Sequence, residues 1–174
     1  MEQVMTDNIR PRPMLRWLWL AVLVIAVDLG TKAMATAWLT YGQPVPVMPM
    51  FNLTLLHNTG AAFSFLAGAD GWQRWFFVIL ALGVSGVLVR WLSTLRQHET
   101  WMAIAIVLIL GGALGNVYDR IVHGYVVDFL HLHAGGYHFP AFNIADSAIT
   151  IGAVMMIIDM FRNTSSHNDD GDAA

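Results

Sequence analysis

Asp128 and Asp146 stand eighteen positions apart in a chain where charge is scarce. Asp128 lies in the β-favouring run Gly124-Tyr125-Val126-Val127-Asp128-Phe129-Leu130-His131, and burial among such neighbours raises a carboxylate's pKa. Asp146 falls about one turn into an apolar segment beginning Phe142-Asn143-Ile144-Ala145, on the same helix face as Asn143. If the two acids approach, repulsion makes them share a proton. One carboxylate then takes a proton from water while the other donates to a scissile carbonyl oxygen. That is aspartic-peptidase chemistry, and it needs no thiol, hydroxyl nucleophile or metal. The plainer alternative is two acids that cap neighbouring helix ends and touch water, and spacing alone leaves both open.

The other polar residues divide in the same way. Asn116 and Asn143 either orient the acids or hold substrate backbone, or else they cap helices. Asn58, in Asn58-Thr59-Gly60, either satisfies its own turn or reaches the site. Asp28 and Lys32 stand four apart on one helix face, as a neutralised pair or in a structural or substrate-orienting role. Asp119 and Arg120 most economically mark the end of a span. His131, His133 and His138 sit near Asp128, and a zinc site can be imagined there, although the spacing is loose. No cofactor or metal is expected, and the absence of cysteine excludes disulfides and thiolate catalysis.

The elements that must position these groups are membrane spans. The chain has 174 residues, of which 56% are hydrophobic and 12% charged, with a mean hydropathy of +0.55, values that belong to an integral membrane protein. Four spans are expected, at about 14–38, 72–92, 101–118 and 142–161, within one domain over 1–162, followed by a disordered tail over 163–174. Met50 to His57 alternates enough for a strand, and Ala61 to Leu66 suits a short interfacial helix. The fold class is therefore an all-α membrane protein with a small extracytoplasmic β-platform and that short helix. Arg10, Arg12, Arg16, Arg90, Arg96 and Arg162 fall on one side of the membrane. The positive-inside rule makes that side cytoplasmic, with both termini inside and the polar cluster facing outward. No basic cluster suits nucleic acid.

The chain resembles the bacterial lipoprotein signal peptidases, or signal peptidase II, aspartic peptidases of family A8 in the inner membrane. The likeness rests on Asp28 with Lys32, on His57-Asn58-Thr59-Gly60-Ala61-Ala62-Phe63-Ser64, on Gly115-Asn116-Val117-Tyr118-Asp119-Arg120, on Val127-Asp128-Phe129 and on Phe142-Asn143-Ile144-Ala145-Asp146-Ser147. The resemblance implies that Asp128 and Asp146 are the catalytic dyad. It also implies that Asn58, Gly60, Asn116, Arg120 and Asn143 line the site, supported by Asp28 and Lys32. The implied substrate is a prolipoprotein whose cysteine carries a diacylglyceryl group, cut on the N-terminal side of that cysteine. Membrane lipids and globomycin-type inhibitors are the implied partners, and a monomer is expected. Two rivals remain from other classes: a small carrier or channel component, and an assembly factor whose polar cluster binds a partner helix. The acids' place at one face rather than the midplane, and the lack of an internal repeat, weigh against a carrier.

Overall fold

The computed structural model describes residues 14–60 and 71–169. A 3-10 turn over Met14–Trp17 leads into α1, Leu18–Trp38. α2 covers Trp72–Thr94, α3 Thr100–Val122 and α4 Ile144–Asp169. All four are long and apolar enough to cross a membrane. α3 is central, packing against each of the other three helices, and its Ile106 and Val107 are fully buried beside Met14 and Leu92. The outer helices leave large side chains such as Trp19, Ile79, Val87 and Phe161 exposed, as expected where the surrounding solvent is lipid.

Small residues let the helices close around the polar cluster. A Cβ on Gly115 would stand 2.7 Å from Asp28 Oδ2, and one on Gly111 2.8 Å from Val24 Cβ, so the Gly111/Gly115 face of α3 receives α1.

Above this end of the bundle lies a four-stranded antiparallel sheet ordered β1-β2-β3-β4, with strands Val45–Met48, Phe51–Asn58, Val126–Ala134 and Tyr137–His138. β2 pairs with β3 so that Leu56 faces Asp128 and Asn58 faces Val126. The expected strand at Met50–His57 is thus β2, displaced by one residue. β1 contains Pro46 and is not foreseen from the residue pattern. It is an edge strand, where proline costs no ladder bond.

Several boundaries differ from expectation, α2 reaching Thr94 and α3 starting at Thr100 among them. α3 continues past Tyr118 to Val122, so Asp119 and Arg120 belong to its last turns and not to a loop. α4 starts at Ile144 because Phe142 is spent on a bridge to Leu130 of β3, exchanging Phe142 N to Leu130 O and Leu130 N to Phe142 O. α4 also runs on to Asp169, through the start of the segment expected to be a disordered tail. The interfacial helix expected at Ala61–Leu66 lies outside the described residues.

Candidate active site

Local structure brings Asp128 and Asp146 to one place. Asn143 caps α4: its Oδ1 accepts from Asp146 N at 2.9 Å, while Asp146 Oδ2 accepts from Asn143 N at 3.2 Å. This is a capping box, satisfying two backbone donors reciprocally at the helix start. The fully buried Asn143 also reaches the other acid, its Nδ2 donating to Asp128 Oδ1 at 2.7 Å and to Val127 O at 3.2 Å. Asn143 therefore caps the helix and joins the two carboxylates at once.

Asp128 is 2% exposed. Burial, and then the negative charge of Asp146, push its pKa up to about 7, opposed by hydrogen bonds from Asn58 and Asn143 and by the charge of Lys32. Asn58 likewise serves twice, since its Oδ1 accepts from Gly60 N at 2.9 Å in a local turn. Gly60 has φ of +95°, and a Cβ there would lie 2.7 Å from Phe77 Cε2. Only glycine fits this turn without strain.

Asp146 is more open. It lines an apolar cleft of about 410 Å³ with Phe142, Ser147, Thr150 and Ile151, and Ile151 is exposed on the outer face of α4. Asn116 Nδ2 donates to Asp146 Oδ1 at 2.8 Å. Arg120 donates through Nη1 to Asn116 O at 3.2 Å, lies over the Phe77 ring at 5.2 Å, and faces the charges of Asp146, Asp128 and Asp119. It places a cation beside the acids without forming an ion pair to either.

Behind the pair lies a buried ionic cluster. Lys32 Nζ forms ion pairs with Asp28 Oδ2 at 2.7 Å and Asp119 Oδ2 at 3.0 Å and donates a hydrogen bond to Asn116 Oδ1 at 2.9 Å. Asp28 Oδ1 accepts from Ala145 N at 2.9 Å, and Asp119 Oδ2 accepts from Val127 N at 3.0 Å. Every candidate supporting residue thus stands in one network with the two acids. Asp119 was missed as a member because its spacing marks only a helix end, and its link to Val127 depends on how the chain turns back.

The zinc arrangement is not assembled. His131, His133 and His138 gather on the β3–β4 hairpin, His131 Nε2 lying 3.2 Å from His138 Nδ1 and Thr54 Oγ1 3.2 Å from His131 Nδ1, while Asp128 is engaged with Asn143. Among the described residues no group of three or more His, Asp or Glu side chains is placed to hold a metal ion.

Known proteins resemble this chain in sequence and in fold. Residues 20–162 match the family model described as signal peptidase (SPase) II. A lipoprotein signal peptidase of Pseudomonas paraeruginosa is 56% identical over 154 residues, 87% of this chain and 91% of that protein. One from Alteromonas mediterranea is 50% identical over 159 residues, 91% of this chain and 87% of that protein. A solved bacterial membrane enzyme, determined by the in meso method at 1.9 Å, superposes with a TM-score of 0.76 at 36% identity, covering 87% of this chain and 97% of its own.

Proposed function

The chain belongs to the signal peptidase II family, and from that premise we propose that it cuts its substrates by aspartic catalysis, with Asp128 and Asp146 as the dyad. Membership makes it a bacterial membrane peptidase that removes signal peptides from prolipoproteins. The observation that carries the dyad reading is Asn143, whose side chain and backbone bind both acids.

Roles follow from the surroundings. Asp128, buried and with its pKa near 7, enters the reaction protonated. Asp146 accepts hydrogen bonds on both oxygens and borders the open cleft, so it takes the proton from water. The water oxygen bonds to the scissile carbonyl carbon as Asp128 gives its proton to the carbonyl oxygen. The resulting diol collapses: Asp146 passes its proton to the amide nitrogen, the C–N bond breaks, and a diol hydroxyl returns a proton to Asp128. Atoms and charge balance with one water consumed. Arg120 stabilises the anionic character that develops at the centre.

The substrate is read as a prolipoprotein with a diacylglyceryl cysteine, cut before that cysteine. The apolar cleft along α4 supports this, because it lets an acyl-anchored chain approach from the side and stops at Asp146. The β2–β3 pair above suits an extended segment. The enzyme is placed in the inner membrane with both termini cytoplasmic and the dyad outward, on the strength of the arginine distribution. It works as a monomer, and globomycin-type peptides occupy the same cleft.

The test is cleavage. Purified protein in detergent is incubated with a lipidated prolipoprotein and its unlipidated form, and the products are resolved by mass. A product ending before the lipidated cysteine is expected only from the lipidated substrate. Absence of product would favour the carrier or assembly-factor readings, and full activity of Asp128→Asn or Asp146→Asn would overturn the dyad.

A further inference from the structure

We infer that Asp119 is a positioning residue for the reaction: with Lys32 and Asp28 it clamps the backbone immediately before each catalytic aspartate. This rests on the dyad reading above.

The two tethers have the same form. Asp119 Oδ2 accepts from Val127 N, one residue before Asp128. Asp28 Oδ1 accepts from Ala145 N, one residue before Asp146. Both carboxylates are neutralised by the same ammonium, Lys32 Nζ, which also donates to Asn116 Oδ1 and so turns its amide toward Asp146. One cation from α1 therefore sets the strand carrying one acid, the helix start carrying the other, and an amide between them. The Val127 peptide is held at both ends, because Asn143 Nδ2 donates to its carbonyl.

Packing alone would not require this. Asp28, Lys32 and Asp119 are 0%, 3% and 1% exposed, and buried ionic groups are often replaceable by apolar residues without loss of stability. What an apolar cluster cannot supply is two carboxylate oxygens aimed at backbone donors. Geometric precision matters here because a misplacement of about 1 Å costs on the order of 100-fold in rate. Asp119 does not border the cleft beside Asp146, where the substrate is read to enter, but lines a separate one with Lys32 and Val127, so its loss should act on kcat more than on KM.

The charged groups facing Asp128 are Asp146 from α4, Lys32 from α1 and Arg120 from α3. Asn58 and Asn143 oppose its raised pKa. Letting the Val127 peptide drift weakens those two hydrogen bonds and moves the proton affinity of Asp128 upward.

The experiment compares full-length Asp119→Leu and Asp119→Asn with the parent, measuring kcat, KM and the pH profile on a lipidated prolipoprotein, each normalised to folded protein by thermal unfolding. Asp119→Leu should lower kcat roughly 10- to 100-fold with KM nearly unchanged, and should move the alkaline limb to higher pH. Asp119→Asn keeps an acceptor for Val127 N and Lys32 Nζ and should restore most of kcat. Parent-like kcat and pH profile in Asp119→Leu, a loss explained wholly by unfolded protein, or an Asn variant as poor as the Leu variant would each overturn the inference. Asp128→Asn serves as control: if it cleaves, the dyad reading has failed, whereas if it is dead and Asp119→Leu is normal, only the clamp has failed.

Discussion

Asn143 and Asp146 exchange two hydrogen bonds across the first turn of α4, so the carboxylate assigned to activate water is also part of the helix cap. The two roles separate by substitution. Asp146→Asn retains an oxygen to accept from Asn143 N but loses the bond from Asn116 Nδ2 and cannot act as a base, so cleavage should fall by about 100-fold or more, with a loss of stability smaller than that of the alanine variant. Asp146→Ala should lose cleavage and, in addition, about 1 kcal/mol of stability from the broken cap. Product assays with thermal unfolding in detergent check both, and equal stability of the two variants would remove the cap from the account.

The raised pKa of Asp128 sets a pH dependence for activity. With its acid form required, kcat/KM should decline on the alkaline side around pH 7, the limb belonging to the coupled pair. Asn58 lowers that pKa by hydrogen bonding to the carboxyl, so Asn58→Ala should shift the limb upward. Rate profiles from pH 5 to 9 decide it, and a downward shift would refute the assigned protonation.

The same group ties stability to pH. Its folded pKa of about 7 exceeds the ordinary 3.8, so the folded protein holds a proton that the unfolded chain releases between those values. Stability therefore falls as pH rises through that window. Asp128→Asn escapes this cost. Its gain over the parent should be absent near pH 3.8, grow to about pH 7 and level off at a few kcal/mol, since each tenfold difference in proton affinity is worth about 1.4 kcal/mol. Unfolding midpoints at pH 4 and pH 8 provide the comparison.

How far these relations could be read from the residues depends on their range along the chain. Asp28 with Lys32, and Asn143 with Asp146, lie three or four apart on helices, where spacing dictates contact. The four spans follow from hydropathy because lipid admits few alternatives. Three things were hidden. α3 continues through Asp119 and Arg120, because those charges are satisfied inward. β1 forms despite Pro46, because an edge needs only one row of hydrogen bonds. The ties from Asp119 to Val127 and from Asp28 to Ala145 link backbone groups of separate elements, and no periodicity encodes them.

Gly115 tests the space around the buried acids. A methyl group there would stand 2.7 Å from Asp28 Oδ2, an atom already held by Lys32. The carboxylate cannot yield without releasing Ala145 N. Gly115→Ala should cost about 1–3 kcal/mol and depress kcat through the start of α4. Gly30→Ala on the exposed side of α1, where a Cβ meets nothing within 4 Å, should stay within about 1 kcal/mol of the parent. Equal behaviour of the two variants would show that the close approach of α3 to Asp28 is unimportant.

Lys32 offers the sharpest energetic contrast. Lys32→Met leaves Asp28 and Asp119 as two unpaired carboxylates in a buried setting, and removing one partner of such a cluster costs about 3–5 kcal/mol. Neutralising the acids as well, in Lys32→Met with Asp28→Asn and Asp119→Asn, should recover most of that stability, since the penalty lies in uncompensated charge. Activity should not recover to the same extent. Asn116 would have lost its ammonium donor, keeping only the longer 3.3 Å contact from Asn143 Nδ2, and its amide would no longer be fixed toward Asp146. A triple variant that regains stability but not kcat separates the electrostatic need for Lys32 from its part in aligning the dyad, and one that regains both would reduce Lys32 to a counter-ion.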